Sequence, residues 1–121
     1  MKQVLIIDDS EQIRQRLAAL LAESAQIRIV GQAGDSREAL EAVRRLRPDT
    51  VILDIRLPGS SGIELLKKFK ARYPEMKVIM LTNFDYARYR RQCRQLGADH
   101  FLNKTLEFEK IVDTIMDVTA Q

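Results

Sequence analysis

Five residues of this chain would do chemistry if they met: Asp8 and Asp9, Asp54, Thr82 and Lys104. Three carboxylates drawn together cannot all stay ionised unaided, because like charges at ~4 Å repel by about 4 kcal/mol at an effective dielectric near 20. A divalent cation removes that repulsion. Mg²⁺ (or Mn²⁺) suits the set, since it takes one or two carboxylates, keeps waters and accepts a phosphate oxygen. An ammonium beside it is a point charge for holding a phosphoryl group, and a hydroxyl can donate to one of its oxygens. The chemistry that fits is therefore the binding of a phosphoryl group beside a divalent cation. Each residue alone has a plainer explanation. Doubled acids ahead of a helix cap it and favour its dipole, Asp54 can close a turn, and Lys104 can be a solvated charge. Their joint placement is what points to a site.

That placement comes from two alternating periods. Apolar, strand-like runs cover Val4–Ile7, Ile27–Val30, Thr50–Leu53, Lys77–Thr82 and Asp99–Leu102. Helical stripes lie between and after them. Ile13, Leu17, Leu20 and Leu21 form the first, behind Ser10. Ala39, Ala42, Val43 and Leu46 form the second, with Ser36 as N-cap candidate. Ile63, Leu66, Phe69 and Tyr73 are stopped by Pro74. Tyr86, Tyr89, Cys93 and Leu96 end at Gly97, a C-cap candidate, and Phe108, Ile111, Val112, Ile115 and Met116 close the chain. Strict alternation with near-continuous apolar strands predicts an α/β fold, a doubly wound parallel sheet of five strands flanked by five helices. In such a sheet ligands bind beyond the carboxyl ends of the strands. Those ends carry Asp8–Asp9 in "VLIIDDSEQ", Asp35 after the second strand, Asp54 in "VILDIRLPG", Thr82 in "VIMLTNF" and Lys104 in "HFLNKT".

The bulk properties narrow the class. A chain of 121 residues suits one domain, here 1–121, with no room for a second unit or a linker. At 45% hydrophobic and 31% charged it reads as ordinary globular protein. No apolar run approaches the ~20 residues of a membrane helix, and no signal-peptide pattern opens the chain. A single Cys93 excludes an internal disulfide and a Cys-rich zinc site, which favours the cytoplasm. The net charge of +3 is too small and dispersed to imply direct nucleic acid binding.

The motifs "DD" at 8–9, "LDIRLPGSSGIEL" at 53–65, "LT" at 81–82 and "GADHFLNK" at 97–104 resemble, in spacing and order, the receiver domains of two-component response regulators, the chemotaxis-Y-like family. The resemblance covers the whole chain. It implies a flavodoxin-like receiver fold with sheet order 2-1-3-4-5, and a signalling switch rather than an enzyme of turnover. Asp54 would be the phosphoacceptor, with Asp8, Asp9, Asp54 and the backbone carbonyl of Arg56 holding Mg²⁺. Thr82 and Lys104 would bind the phosphoryl group, and Thr82 and Phe101 would form the switch. The implied partners are a histidine kinase or phosphotransfer protein and a downstream effector protein or domain, with no membrane. Output would pass through the fourth helix, fifth strand and fifth helix, a face carrying Arg88, Arg90, Arg91 and Arg94. Kinase contact would fall on the first helix near Ile13, which also fits the core stripe. His100 reads as packing or surface. The chain is either a stand-alone receiver or a fragment of a larger regulator.

Two positions depart from the family pattern. Thr105 follows Lys104 where relatives carry Pro, and Asn83 follows Thr82 where they carry a small residue. A cis bond before a residue other than Pro costs about 2.5–4 kcal/mol, so the Lys104–Thr105 bond is expected to be trans, with the Thr105 hydroxyl free to cap the fifth helix. The rival enzyme is an aspartate-nucleophile phosphohydrolase of the haloacid dehalogenase kind. It would need Asp-x-Asp after the first strand and a cap domain; "IDDSE" and 121 residues supply neither. An interaction-only pseudo-receiver is opposed by the complete set of acids, Thr82 and Lys104.

Overall fold

The computed structural model describes residues 1–120. Strands β1 (Lys2–Ile7), β2 (Ile27–Ala33), β3 (Thr50–Leu53), β4 (Lys77–Thr82) and β5 (His100–Asn103) form one parallel sheet in the order β2-β1-β3-β4-β5. Helices α1 (Glu11–Leu21), α2 (Ser36–Leu46), α3 (Gly62–Arg72), α4 (Ala87–Gln95) and α5 (Ile111–Val118) connect and cover it. This is the doubly wound architecture that the strand–helix alternation requires.

The apolar runs are continuous because the central strands face two cores. In β1, Leu5 and Ile7 enter one core while Val4 and Ile6 enter the other. β4 divides likewise, with Val78 and Met80 on the first side and Ile79 and Leu81 on the second. The first core is closed by Ala39 and Val43 of α2, Leu65, Leu66 and Phe69 of α3 and Cys93 of α4. The second is closed by Leu17 and Leu21 of α1 and Ile111 and Ile115 of α5. Ile13 is partly buried and packs against this second core.

Register sets the site. Ile7 pairs with Leu53 and Leu53 with Met80, so β1 and β3 stop side by side. Thr82 pairs with Asn103, and the Lys104 N–H donates to the Thr82 carbonyl at 3.0 Å, which places Lys104 one step beyond that pair.

Several local expectations are corrected. β1 begins at Lys2, β2 continues to Ala33, and β5 runs from His100 to Asn103. The N-cap of α2 is Asp35, whose carboxylate accepts from the Glu38 N–H at 2.8 Å; Ser36 is buried and its N–H donates to the Pro58 carbonyl. Asp caps as well as Ser does, so the two candidates could be separated only by backbone path. Tyr86 is exposed and extended just before α4, rather than part of its buried stripe. Gly97 does end α4: at φ +98° it lets Ala98 N–H reach Cys93 O and Gly97 N–H reach Arg94 O, a Schellman arrangement. Phe108 lies in a 3₁₀ turn (Phe108–Lys110) leading into α5.

Candidate functional site

The acidic rim forms where β1 and β3 end. The Asp8 N–H continues the ladder to the Ala33 carbonyl and the Asp54 N–H continues it to the Ile7 carbonyl, so both acids are held by backbone before their side chains act. Asp8 and Asp54 are 2% and 5% exposed, while Asp9, in the bend that follows β1, is exposed. One carboxylate oxygen from each of Asp8, Asp9 and Asp54 lies within 4.8 Å of the others.

Lys104 is the counter-charge. Its Nζ lies 2.7 Å from Asp8 Oδ2 and 2.5 Å from Asp54 Oδ2. The remaining oxygens take backbone donors: Ser10 N–H to Asp8 Oδ1 at 2.9 Å, and Ile55 N–H to Asp54 Oδ1 at 2.7 Å. Burial pushes the Asp8 carboxyl above the usual aspartate range, and the Lys104 and Ser10 hydrogen bonds offset this only in part. Burial also works against the Lys104 ammonium, but its bonds to Asp54 and Asp8 outweigh it and hold the group above the ordinary lysine value. One ammonium among three carboxylates leaves the pocket short of positive charge. That donor set, all hard oxygen with two members buried, fits a hard divalent cation.

The loops are shaped to let this happen. Ser10 caps α1 by accepting from Ile13 N–H, which turns the chain sharply after the paired acids. Gly62 starts α3 against the loop that follows β3: a Cβ there would stand 1.9 Å from the Asp54 carbonyl oxygen. Only glycine permits so close an approach.

Thr82 is fully buried, and its hydroxyl oxygen accepts from the Phe84 N–H at 3.1 Å. Phe101 is half-buried against the first core. The Arg56 side chain is exposed and its guanidinium lies over the Phe84 ring at 4.8 Å. His100 is exposed on the edge strand. All peptide bonds among the described residues are trans, Lys104–Thr105 included. Thr105 does not cap the last helix. Its hydroxyl donates to Asn83 Oδ1 at 2.9 Å, so the two departures from the family pattern bond to each other. The turn is capped instead by Asn103, whose Oδ1 accepts from Thr105 and Leu106 N–H, while Glu107 accepts from the Asn103 N–H.

Two sets of side-chain contacts have no sequence signal. Arg14 of α1 donates from Nη1 to the Asp8 carbonyl at 2.6 Å and from Nε to Gln32 at 3.1 Å, bracing the acidic loop against β2. Arg90 of α4 is not a free surface charge. It pairs through two nitrogens with Asp85, reaches Glu107 at 3.5 Å, and lies over the Phe101 ring at 4.6 Å. Both depend on long side chains crossing between loops, which periodicity does not record. Arg88, Arg91 and Arg94 are exposed as expected.

The family described as the response regulator receiver domain matches residues 4–116. This chain belongs to that family. The receiver is 31% identical over 120 residues to the response regulator GacA of Pseudomonas aeruginosa, a match covering 99% of this chain and 56% of the relative. It is 38% identical over 122 residues to a response regulatory protein of Vibrio cholerae, covering 100% and 50%. Among solved structures, the CheX-CheY-BeF3-Mg+2 complex from Borrelia burgdorferi contains a chain that superposes with a TM-score of 0.92 at 27% identity, over 99% of this chain and 90% of that one. The receiver spans about half the length of the curated relatives it matches. The sequence resemblance and the fold class thus stand, and the receiver is a signalling domain of two-component systems. Among the described residues no helix is long and apolar enough to cross a membrane.

Proposed function

We propose that the receiver is a cytoplasmic phosphorylation switch that takes a phosphoryl group onto Asp54 from a histidine kinase, a phosphotransfer protein or a small acyl phosphate. The observation that carries this is the shared hold of Lys104 on Asp54 and Asp8, with Asp9 completing the acidic group. An Asp54 carboxylate oxygen attacks phosphorus in line; the bond to the leaving group breaks and its electron pair departs with it, leaving an acyl phosphate. Asp54 needs no general base, since an ionised carboxylate is already a nucleophile. Asp8, Asp9, Asp54 and the Arg56 carbonyl would hold Mg²⁺, which when bound neutralises the carboxylates and the transferring oxygens. Lys104 then follows the new charge, and the Thr82 hydroxyl donates to a phosphoryl oxygen.

The energetics suffice for a switch. Phosphorylation adds about −1.5 to −2 charge. An ammonium at ~4 Å contributes about 4 kcal/mol per unit charge at effective dielectric near 20, and a hydrogen bond to a charged acceptor about 1.5–3 kcal/mol. Full conversion of a two-state element needs about 5.5 kcal/mol. Thr82 and Phe101 carry the change to the α4, β5 and α5 face, where an effector protein or domain reads it.

Incubation with acetyl phosphate and Mg²⁺ is expected to add one phosphoryl group at Asp54, seen by intact mass and by loss in Asp54→Asn; chelation should stop it. Equal incorporation by Asp54→Asn would remove the assignment. A phosphomonoester turned over catalytically would point to the hydrolase instead.

A further inference from the structure

Away from the acidic rim, α2 and α3 enclose an open groove of about 710 Å³. Its α2 wall presents Arg37, Leu40, Glu41 and Arg44, spaced i, i+3, i+4 and i+7, so they share one helix face. Its α3 wall presents Lys68 and Arg72, one turn apart, and Phe69 and Tyr73 lie between. Four cations therefore face one carboxylate, and that carboxylate is already engaged: both Glu41 oxygens accept from Arg44, at 2.8 and 3.0 Å. The groove holds an excess equal to the +3 of the whole chain, so the rest of the molecule is neutral on balance. Leu40 is one of four large hydrophobic residues left exposed among the described residues, at 38%.

We propose that this groove docks an acidic amphipathic helix of a partner protein. Two rows of cations flanking an apolar strip match a helix that carries a ridge of apolar side chains between two acidic flanks. Spacing on the walls sets spacing on the guest. Arg37 and Arg44 are about 10 Å apart along α2 and Lys68 and Arg72 about 6 Å apart along α3, which calls for carboxylates near i, i+7 on one flank and i, i+4 on the other. A nucleic acid fits less well. Phosphates would leave Leu40 unused, and the groove offers no pair of exposed aromatic faces on which successive bases could stack. Exposed ion pairs are individually weak and Phe69, 1% exposed, is already packed into the core, so affinity must come from burying Leu40 beside Tyr73 and the alkyl stems of the flanking cations, with the charges steering approach and register.

The docking surface is independent of phosphotransfer at Asp54 and is tested on the unphosphorylated receiver. A ¹⁵N-labelled sample is titrated with a synthetic helical peptide of about three turns that bears glutamates at these spacings beside a leucine ridge. Saturable shifts are expected at the amides of residues 37–44 and 68–73. The double change Arg44→Glu with Arg72→Glu should weaken binding at least about tenfold, one decade in Kd, and Leu40→Ser should weaken it too. Lys67→Glu reverses a charge on the same helix away from the groove and should have little effect. If the double reversal loses its dispersed spectrum, Arg44→Gln with Arg72→Gln gives the same comparison with a smaller loss. Equal weakening by Lys67→Glu, unchanged binding in Leu40→Ser, absence of saturable shifts, or equally tight binding of a single-stranded oligothymidylate at the same amides would each overturn the proposal.

Discussion

Asp8 is held at a cost to stability. It is almost fully buried, and burial raises its carboxyl above the ordinary range even with Lys104 at 2.7 Å. A raised folded-state value means that the folded protein holds the proton more tightly than the unfolded chain does, so Asp8 favours folding least at neutral pH and above. Asp8→Asn keeps the shape, still accepts from Ser10, and removes one of three crowded charges. Melted in chelator near pH 7, it is expected to gain a few degrees over the parent while losing Mg²⁺-dependent stabilisation. A lower melting temperature would show that the Lys104 pair outweighs the repulsion. Lys104→Ala probes the opposite sign. Asp54 and its acidic neighbours remain, so acetyl phosphate should still label the protein. Amide signals near Thr82 and Phe101 should then respond feebly to the modification. A normal response would assign the coupling to another group. The convergence of Asp8, Asp9, Asp54 and Lys104 was legible in the sequence because each sits at or just past a strand end, where position follows from periodicity. Arg14 was not, because its role depends on where a long side chain lands across a loop.

At the scale of elements, boundaries rested on caps, and caps were where the sequence misled. Asp35 and Ser36 are adjacent and chemically equivalent as N-caps; the structure chose Asp35 and used the Ser36 N–H to hold Pro58. Thr105 had a hydroxyl suited to capping, but Asn103 reached the turn first and Thr105 turned to Asn83. The tightest junction is between α3 and the loop after Asp54. A Cβ on Gly62 would meet backbone at 1.9, 2.8 and 2.9 Å, none of which can rotate away. At Gly31 the nearest atoms are the side-chain ends of Leu46 and Leu5, at 2.9 and 3.3 Å, which can yield. Gly62→Ala is therefore expected to lose about 3 kcal/mol or more, the upper end of overpacking costs, and to slow labelling of Asp54; Gly31→Ala should cost distinctly less. Urea unfolding of the two variants makes the comparison, and equal losses would mean that the α3 junction relaxes freely.

For the molecule as a whole, the sheet order could be reached from the sequence only through family resemblance, because alternation fixes parallel strands but not which ones adjoin. The β5 edge shows what that order brings together. β4 and β5 are neighbours, so Asp85 after β4, Phe101 within β5 and Glu107 after it all come within reach of one side chain, Arg90 of α4. The Arg90 hydrogen bond is the main cause holding Asp85 below the usual aspartate range; the Asn103 N–H does the same for Glu107, with Lys110 and Arg90 assisting. Depressed folded-state values give stability that is present above the unfolded values, 3.8 and 4.5, and is lost as pH falls through the folded ones. Arg90 itself stays charged throughout. The network is partly exposed, so solvent screening limits its worth to about 1 kcal/mol even with two-point contact to Asp85. Arg90→Ala is accordingly expected to destabilise the receiver by about that amount near pH 7, with the gap closing as the pH drops below about 4 and narrowing in high salt. Denaturant titrations of parent and variant across that range decide it. A gap that stays constant with pH would mean that Arg90 acts by packing over the Phe101 ring rather than by charge, which would leave the Asp85 and Glu107 carboxylates as bystanders beside it.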